Sequence, residues 1–284
     1  MMIGMQDSVT ARKPRRWRAR LIDAVSDWLS RDVEPPEAPR TDFARLCEHA
    51  RPADVILVQG RSRVAGIIQS VTLSSWTHAA LYIGRADTLE HAEARAAVDT
   101  AGWAADTPLL LEAQLGEGVH LSPLSRYRGE HLRLCRPHEM PPADAQAVID
   151  YALNRLGVPY DRRQILDLLR FFFPYGLLPR RWRSTLFEAG HGDAVRAICS
   201  TLLANAFASV RYPILPTIHR GVDGGMVFHR RNARLITPRD FDHSPYFDVI
   251  KYAFFGDDVA RYHELEWDEL APRVARRQPG PPRR

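Results

Sequence analysis

Cysteine is scarce in this chain: Cys47, Cys135 and Cys199 are the only three among 284 residues. So odd and widely spaced a set excludes a disulfide framework and a structural zinc site, which need pairs or clusters at short spacing. Long apolar runs are missing as well. The most apolar window, residues 165–178, holds Asp167, Arg170 and Pro174. It falls short of the roughly 20 residues that a membrane-spanning helix needs. The basic N-terminal stretch is interrupted by Asp23, Ser26 and Asp27, so no secretory signal is expected and the chain reads as cytoplasmic. Neither the Gly-x-Gly-x-x-Gly pattern nor the phosphate-loop lysine pattern occurs, so nucleotide binding has no support and no cofactor is expected. No internal repeat is visible.

Lysine is almost absent too. Of 39 basic residues only Lys13 and Lys251 are lysines, and the other 37 are arginines. The formal net charge is +5 and the isoelectric point about 9.3, which invites a polyanionic partner. The positive charge sits at the ends, however: residues 1–32 carry +3 and residues 272–284 carry +5, which leaves −3 on everything between. A nucleic-acid-binding domain carries its positive field on the folded body, so no nucleic-acid partner is expected.

The N-terminal stretch has helical periodicity. Trp17, Leu21, Val25 and Trp28 share one face, with Arg16, Arg18 and Arg20 elsewhere on the wheel. Such a helix over residues 15–31 suits a lipid headgroup layer, and it equally suits packing on its own domain. The stiff linker Glu34-Pro-Pro-Glu-Ala-Pro follows. The organisation reads as 1–40, a basic amphipathic helix and linker; 41–271, one domain; and 272–284, a Pro/Arg-rich tail.

Within the body, Asp54-Val-Ile-Leu-Val is a β-branched apolar run and predicts a buried strand, followed by a short helix over 61–71. Further strands are expected from His78, over Leu109–Ala113, from Gly118 and over His131–Cys135, the last with polar and apolar residues alternating. Pro141, Pro142 and Asp144 open a helix reaching about Leu156. Helices are expected over 161–173 and 199–210, and short strands over 226–229 and 247–251. Strands first and helices later predict an α+β domain rather than alternating βαβ units.

Three residues could carry chemistry. Cys199 falls in the first turn of an apolar helix, where exposed amides and the helix dipole stabilise a thiolate. The plainer role is a small buried core residue. His78 stands where a polar turn meets an apolar strand, in position to act as a base or to serve as a hydrogen-bonded structural residue. Glu112 is the only charge within Leu109–Ala113. Either it points outward from an edge strand, or it is buried with a partner such as a histidine ring. His91, His120 and His191 with Asp193 or Glu117 lack metal-ligand spacing, so no metal is expected.

In their order along the chain these segments resemble a known family. Asp54-Val-Ile-Leu-Val, Thr72-Leu-Ser-Ser-Trp-Thr-His78-Ala-Ala-Leu-Tyr-Ile-Gly, Leu111-Glu112-Ala, Gly118-Val, Gly157-Val-Pro-Tyr160-Asp161, Cys199-Ser and Thr237-Pro-Arg-Asp240-Phe-Asp-His-Ser244 are similar to circularly permuted papain-like hydrolases of the YiiX and YaeF type, relatives of NlpC-type cell-wall peptidases. The resemblance covers roughly residues 52–251. It implies a small antiparallel sheet or barrel packed against helices, with the nucleophile at a helix N-terminus. It also implies Cys199 as nucleophile, His78 as general base and Glu112 as the group that orients His78, with Tyr160, Trp76 and Ser200 lining the substrate site. Ile198 departs from the pattern, since family members often carry an aromatic residue there.

Two stretches are longer than the resemblance leads one to expect. Asp87–Pro108 would serve as a helical cover, and Phe171–His191, with three phenylalanines and Arg180, Arg181 and Arg183, would suit either an acyl chain with an anionic head or a lid packed on the core. The expected activity is hydrolysis of an amide or ester through a thioester, on a small peptide or lipid-linked substrate. The alternative is a lipid-binding, membrane-associated or acyl-transferring module on the same fold, touching the membrane through residues 15–31.

Overall fold

The structure, a computed structural model, describes residues 41–114, 117–159, 199–220 and 224–250, without the side chains of Arg63, Val64, Ile67, Val71 and Cys199. The amphipathic stretch 15–31, the linker, Tyr160, the helix expected over 161–173, the insertion 171–191 and the 272–284 tail lie outside these residues.

The chain runs α1 (Phe43–His49), β1 (Val55–Gln59), α2 (Arg63–Thr72), β2 (His78–Arg85), α3 (Ala92–Ala101), β3 (Pro108–Gln114), β4 (Gly118–Pro123), β5 (His131–Pro137), α4 (Pro142–Leu153), α5 (Cys199–Ser209), β6 (Thr217–Arg220), β7 (Met226–His229), α6 (Pro238–His243) and β8 (Phe247–Ile250). Short 3-10 turns occupy Ala86–Thr88, Leu124–Tyr127 and Ala233–Leu235. Local chemistry accounts for the helix ends. Ser62 Oγ accepts from the Ala65 amide at the start of α2, and Thr237 and Asp240 form a capping box on α6. Pro142 opens α4, where its missing N–H costs nothing.

Six strands form one antiparallel sheet in the order β4-β3-β2-β1-β5-β8, and β6 pairs with β7 in a separate ribbon. This is the α+β arrangement expected, with one correction. The sheet is open: among the described residues β4 pairs only with β3, and β8 only with β5. Closing a barrel requires the two edges to hydrogen-bond to each other, and here they lie at opposite ends of the strand order.

Alternation along the strands divides the sheet into two faces. Val55, Leu57, Ala79, Leu81, Leu109, Leu111, Ala113, Val119 and Leu121 join Val148, Ile149, Leu203 and Phe207 of α4 and α5 in the main core. Helix α3, found within the 87–108 stretch, adds Ala94 and Val98 to the same core. The opposite face carries Ile56, Val58, Ala80 and Leu110, which are also buried. Both faces being covered explains why β1 and β2 read as continuous apolar runs rather than alternating ones.

Candidate active site

Strand register brings the site together. Leu81 pairs with Leu111, and counting back along β2 and forward along β3 sets His78 opposite Gln114, on the same face as Glu112. His120 lies directly across from Glu112, and Ser122 directly across from Leu110. Diagonal and opposite positions on one face are within reach of long side chains, so three adjacent strands converge on one carboxylate. The segment Trp76-Thr77-His78 crosses the end of the sheet: Trp76 belongs to the core face, whereas His78, the first residue of β2, turns to the other.

Glu112 is fully buried. Its Oε2 accepts from His78 Nε2 at 2.6 Å, from the Tyr127 hydroxyl at 2.5 Å and from Gln114 Nε2 at 3.2 Å. Its Oε1 accepts from Ser122 Oγ at 2.6 Å. His120 Nε2 lies 3.4 Å from Oε1 without the alignment of a hydrogen bond, and Arg126 Nη1 lies 4.0 Å away. Burial alone would push this carboxyl up. The His120 and His78 rings and the Ser122 hydroxyl outweigh it and hold Glu112 well below the usual carboxylate range. The open possibility of an outward-facing edge glutamate is thereby removed, because β4 covers β3 and the side chain points into a buried, donor-lined site.

His120 is the second ring on this carboxylate. Burial opposes its protonation, but Glu112, the Gly118 carbonyl and Glu117 outweigh burial and push its pKa up. Glu117 Oε2 lies 3.1 Å from its Nε2, and Arg126 bridges back to Glu117 at 3.3 Å.

The other expected site residues are placed unevenly. Cys199 is the first residue of α5 as described, and α5 packs against β2 and β3, the strands that carry His78 and Glu112. Trp76 is buried: its indole donates to Asp242 Oδ2 at 3.0 Å, stacks on His131 and lies beneath the Arg133 guanidinium. Ser200 is buried too, its hydroxyl donating to the Ile236 carbonyl. Both therefore stand in the interior rather than on an open surface. Sequence reasoning did not find Tyr127, Ser122 or Gln114, and it weighed His120 only as a metal ligand. Alternation along β4 could have flagged Ser122 with His120. Nothing in the sequence points Tyr127, on a 3-10 turn, toward Glu112.

The remaining cysteines differ from an activated thiol. Burial pushes Cys135 up to about 12 and also raises Cys47. Among the described residues no group of three or more His, Cys, Asp or Glu side chains could hold a metal ion, and no helix is long and apolar enough to cross a membrane.

Comparison with known proteins bears out the resemblance over part of the chain. Residues 49–167 match the model of a family described as permuted papain-like amidase enzyme, YaeF/YiiX, C92 family. The match includes His78 and Glu112 and ends before Cys199. Among solved structures the chain is similar to the crystal structure of metalloprotein yiiX from Escherichia coli O157:H7, at 15% identity over 71% of this chain and 96% of that one, with a TM-score of 0.41. The curated proteins gave no match.

Proposed function

We propose, from the likeness of residues 49–167 to permuted papain-like amidases, that the chain is a cysteine hydrolase cleaving an amide or ester, with Cys199, His78 and Glu112 as its triad. The observation that carries this reading is the 2.6 Å bond from His78 Nε2 to the buried Glu112 carboxylate. That bond fixes the ring orientation and assigns Nε2 to the acid, so proton transfer with a thiol runs through Nδ1. His78 opens β2 at the end of the sheet, and α5, which begins with Cys199, packs on β2. Because α5 packs on the core face of the sheet and His78 turns to the other, the thiol is proposed to reach the ring around the sheet end.

In the first step the Cys199 proton passes to His78 Nδ1 and the thiolate sulfur bonds to the substrate carbonyl carbon. Amides in the first turn of α5 are the oxyanion donors. The intermediate collapses, the bond to the leaving amine or alcohol breaks, and His78 returns the proton to that group. Water then adds to the thioester with His78 as base, releasing the acid and the thiol. Glu112 stays ionised throughout and stabilises the imidazolium. Tyr160, within the matched segment, is proposed to line the substrate site.

Trapping the acyl-enzyme from cell lysate tests this and identifies the substrate class, because the mass added to the Cys199 peptide is that of the acyl group. An adduct that persists in His78→Ala, or turnover that survives Cys199→Ala at full rate, overturns the reading.

A further inference from the structure

One carboxylate holds two imidazoles, and the proposed chemistry uses only one of them. His120 faces Glu112 directly across the β3–β4 pair. Its Nδ1 lies 3.1 Å from the Gly118 carbonyl oxygen, and a carbonyl can only accept, so Nδ1 carries a proton. Its Nε2 is buried without an aligned hydrogen bond, 3.4 Å from Glu112 Oε1 and 3.1 Å from Glu117 Oε2. In the neutral ring with its proton on Nδ1, Nε2 would hold a lone pair close to two carboxylates. A proton on Nε2 turns both contacts from repulsive to attractive.

The charged and titratable neighbours come from every element around the pair. Glu112 belongs to β3, Glu117 precedes β4, Arg126 and Tyr127 sit on the 3-10 turn that follows β4, and His78 opens β2. Cys199 opens the helix packed on β2 and β3. Two carboxylates and one guanidinium leave a single negative charge to be shared by two imidazoles. The titrations of His78 and His120 are therefore coupled through Glu112.

We propose that His120 stands as an imidazolium on Glu112 and acts as a positioning residue that limits how tightly Glu112 holds the proton of His78, so setting the upper pH limit of the Cys199–His78 ion pair. This rests on the catalytic reading above. A positive charge on the far side of the carboxylate lowers the basicity of His78, and the protonated pair gives way to neutral imidazole at a lower pH than a lone His–Glu pair would allow. His120→Gln keeps a planar, hydrogen-bonding side chain and removes the charge. It is expected to move the His78 limb up by about one pH unit.

The test needs no substrate. The rate of iodoacetamide alkylation at Cys199, followed against pH in the full-length protein and read on its own peptide, reports loss of the ion pair as an upper limb. That limb is expected to rise in His120→Gln, and a limb that stays in place or falls overturns the proposal. Should the variant not fold, nitrogen NMR of the wild-type rings decides. Both nitrogens of His120 are expected to be protonated at neutral pH, and an unprotonated Nε2 overturns the proposal. The catalytic reading fails by a different result, an ordinary single-limb thiol profile at Cys199 that His78→Ala leaves unchanged. In that case the titration of the His78 ring nitrogens, with and without His120→Gln, still decides whether His120 tunes His78.

Discussion

Glu112 gathers hydrogen bonds from His78, Tyr127, Gln114 and Ser122 on one buried side chain, and that setting makes its removal measurable. Glu112→Ala removes an acceptor from His78, Tyr127 and Ser122 at once in a buried site. A loss of about 3–5 kcal/mol is expected in urea unfolding, against about 1 kcal/mol for Ser122→Ala. Equal losses would show that the carboxylate is no hub. The pH dependence follows from the direction of each shift. Glu112 is held below its ordinary range, so its stabilisation is complete above about pH 4.3 and is lost as pH falls through the depressed value. His120 is pushed up, so its contribution is complete below about pH 6.5 and is lost as pH rises through the raised value. The acid arm of the stability curve should flatten in Glu112→Gln and the alkaline arm in His120→Gln. Cysteine labelling supplies a second residue-level check. With its thiol pushed up to about 12 by burial, Cys135 is expected to stay unalkylated at neutral pH while Cys199 reacts, and labelling of Cys135 first would contradict both assignments. One isolated charge in an apolar strand offered Glu112 a histidine partner as one of two alternatives, and the family resemblance made that partner His78. Ser122 was within reach of alternation along β4, but Tyr127 and Gln114 were not, because their approach depends on a turn and on strand register, neither of which leaves a local sequence signal.

At the scale of elements, β4 owes its place to a glycine. Gly118 has φ +77°, and a Cβ there would lie 2.6 Å from the Val158 carbonyl oxygen. The same edge is tied down by the Val119 amide donating to the Val158 carbonyl and the Gly157 amide donating to the Val119 carbonyl. Gly118→Ala therefore combines backbone strain with a collision against main chain that cannot rotate away. It is expected to cost more than about 2 kcal/mol and to shift the His120 ring, whose Nδ1 donates to the Gly118 carbonyl. Gly102, at φ +66° with nothing within 4 Å of an added Cβ, supplies the comparison. Alanine there should cost only about 1 kcal/mol, and equal midpoint shifts in the two variants would remove the steric argument. Strands β1 to β4 were legible as apolar stretches bounded by glycine and turn residues, and β5 from its alternation of polar and apolar residues. Helix α6 was not, since six residues carry too little periodicity and its capping box is recognisable only once the helix is known. The bulge that makes Gly84 rather than Ile83 the partner of Leu109 was equally invisible, because pairing register depends on both strands.

For the whole molecule, charge was more legible than shape. Composition located the basic excess in residues 1–32 and 272–284 and left a net −3 between them. It could not tell an open sheet from a barrel, because edge closure depends on how six strands are ordered in space. That charge division bears on where the protein works. A helix over residues 15–31 with Trp17, Leu21, Val25 and Trp28 on one face would bind anionic phospholipid vesicles by apolar burial and charge together. Binding of that kind is expected to weaken with added salt, because exposed charges are screened within about 10 Å at 0.1 M, and to vanish when residues 1–33 are deleted. Vesicle co-sedimentation that survives the deletion removes this role from the N-terminal segment. It would shift attention to the β6–β7 ribbon, where the register sets Ile218 opposite Phe228 and Arg220 opposite Met226 on one face, with all three apolar side chains exposed. Charge and apolar exposure then make separable claims: Phe228→Glu should abolish a ribbon-borne contact, while Val227→Glu, on the other face of the same strand, should leave it intact.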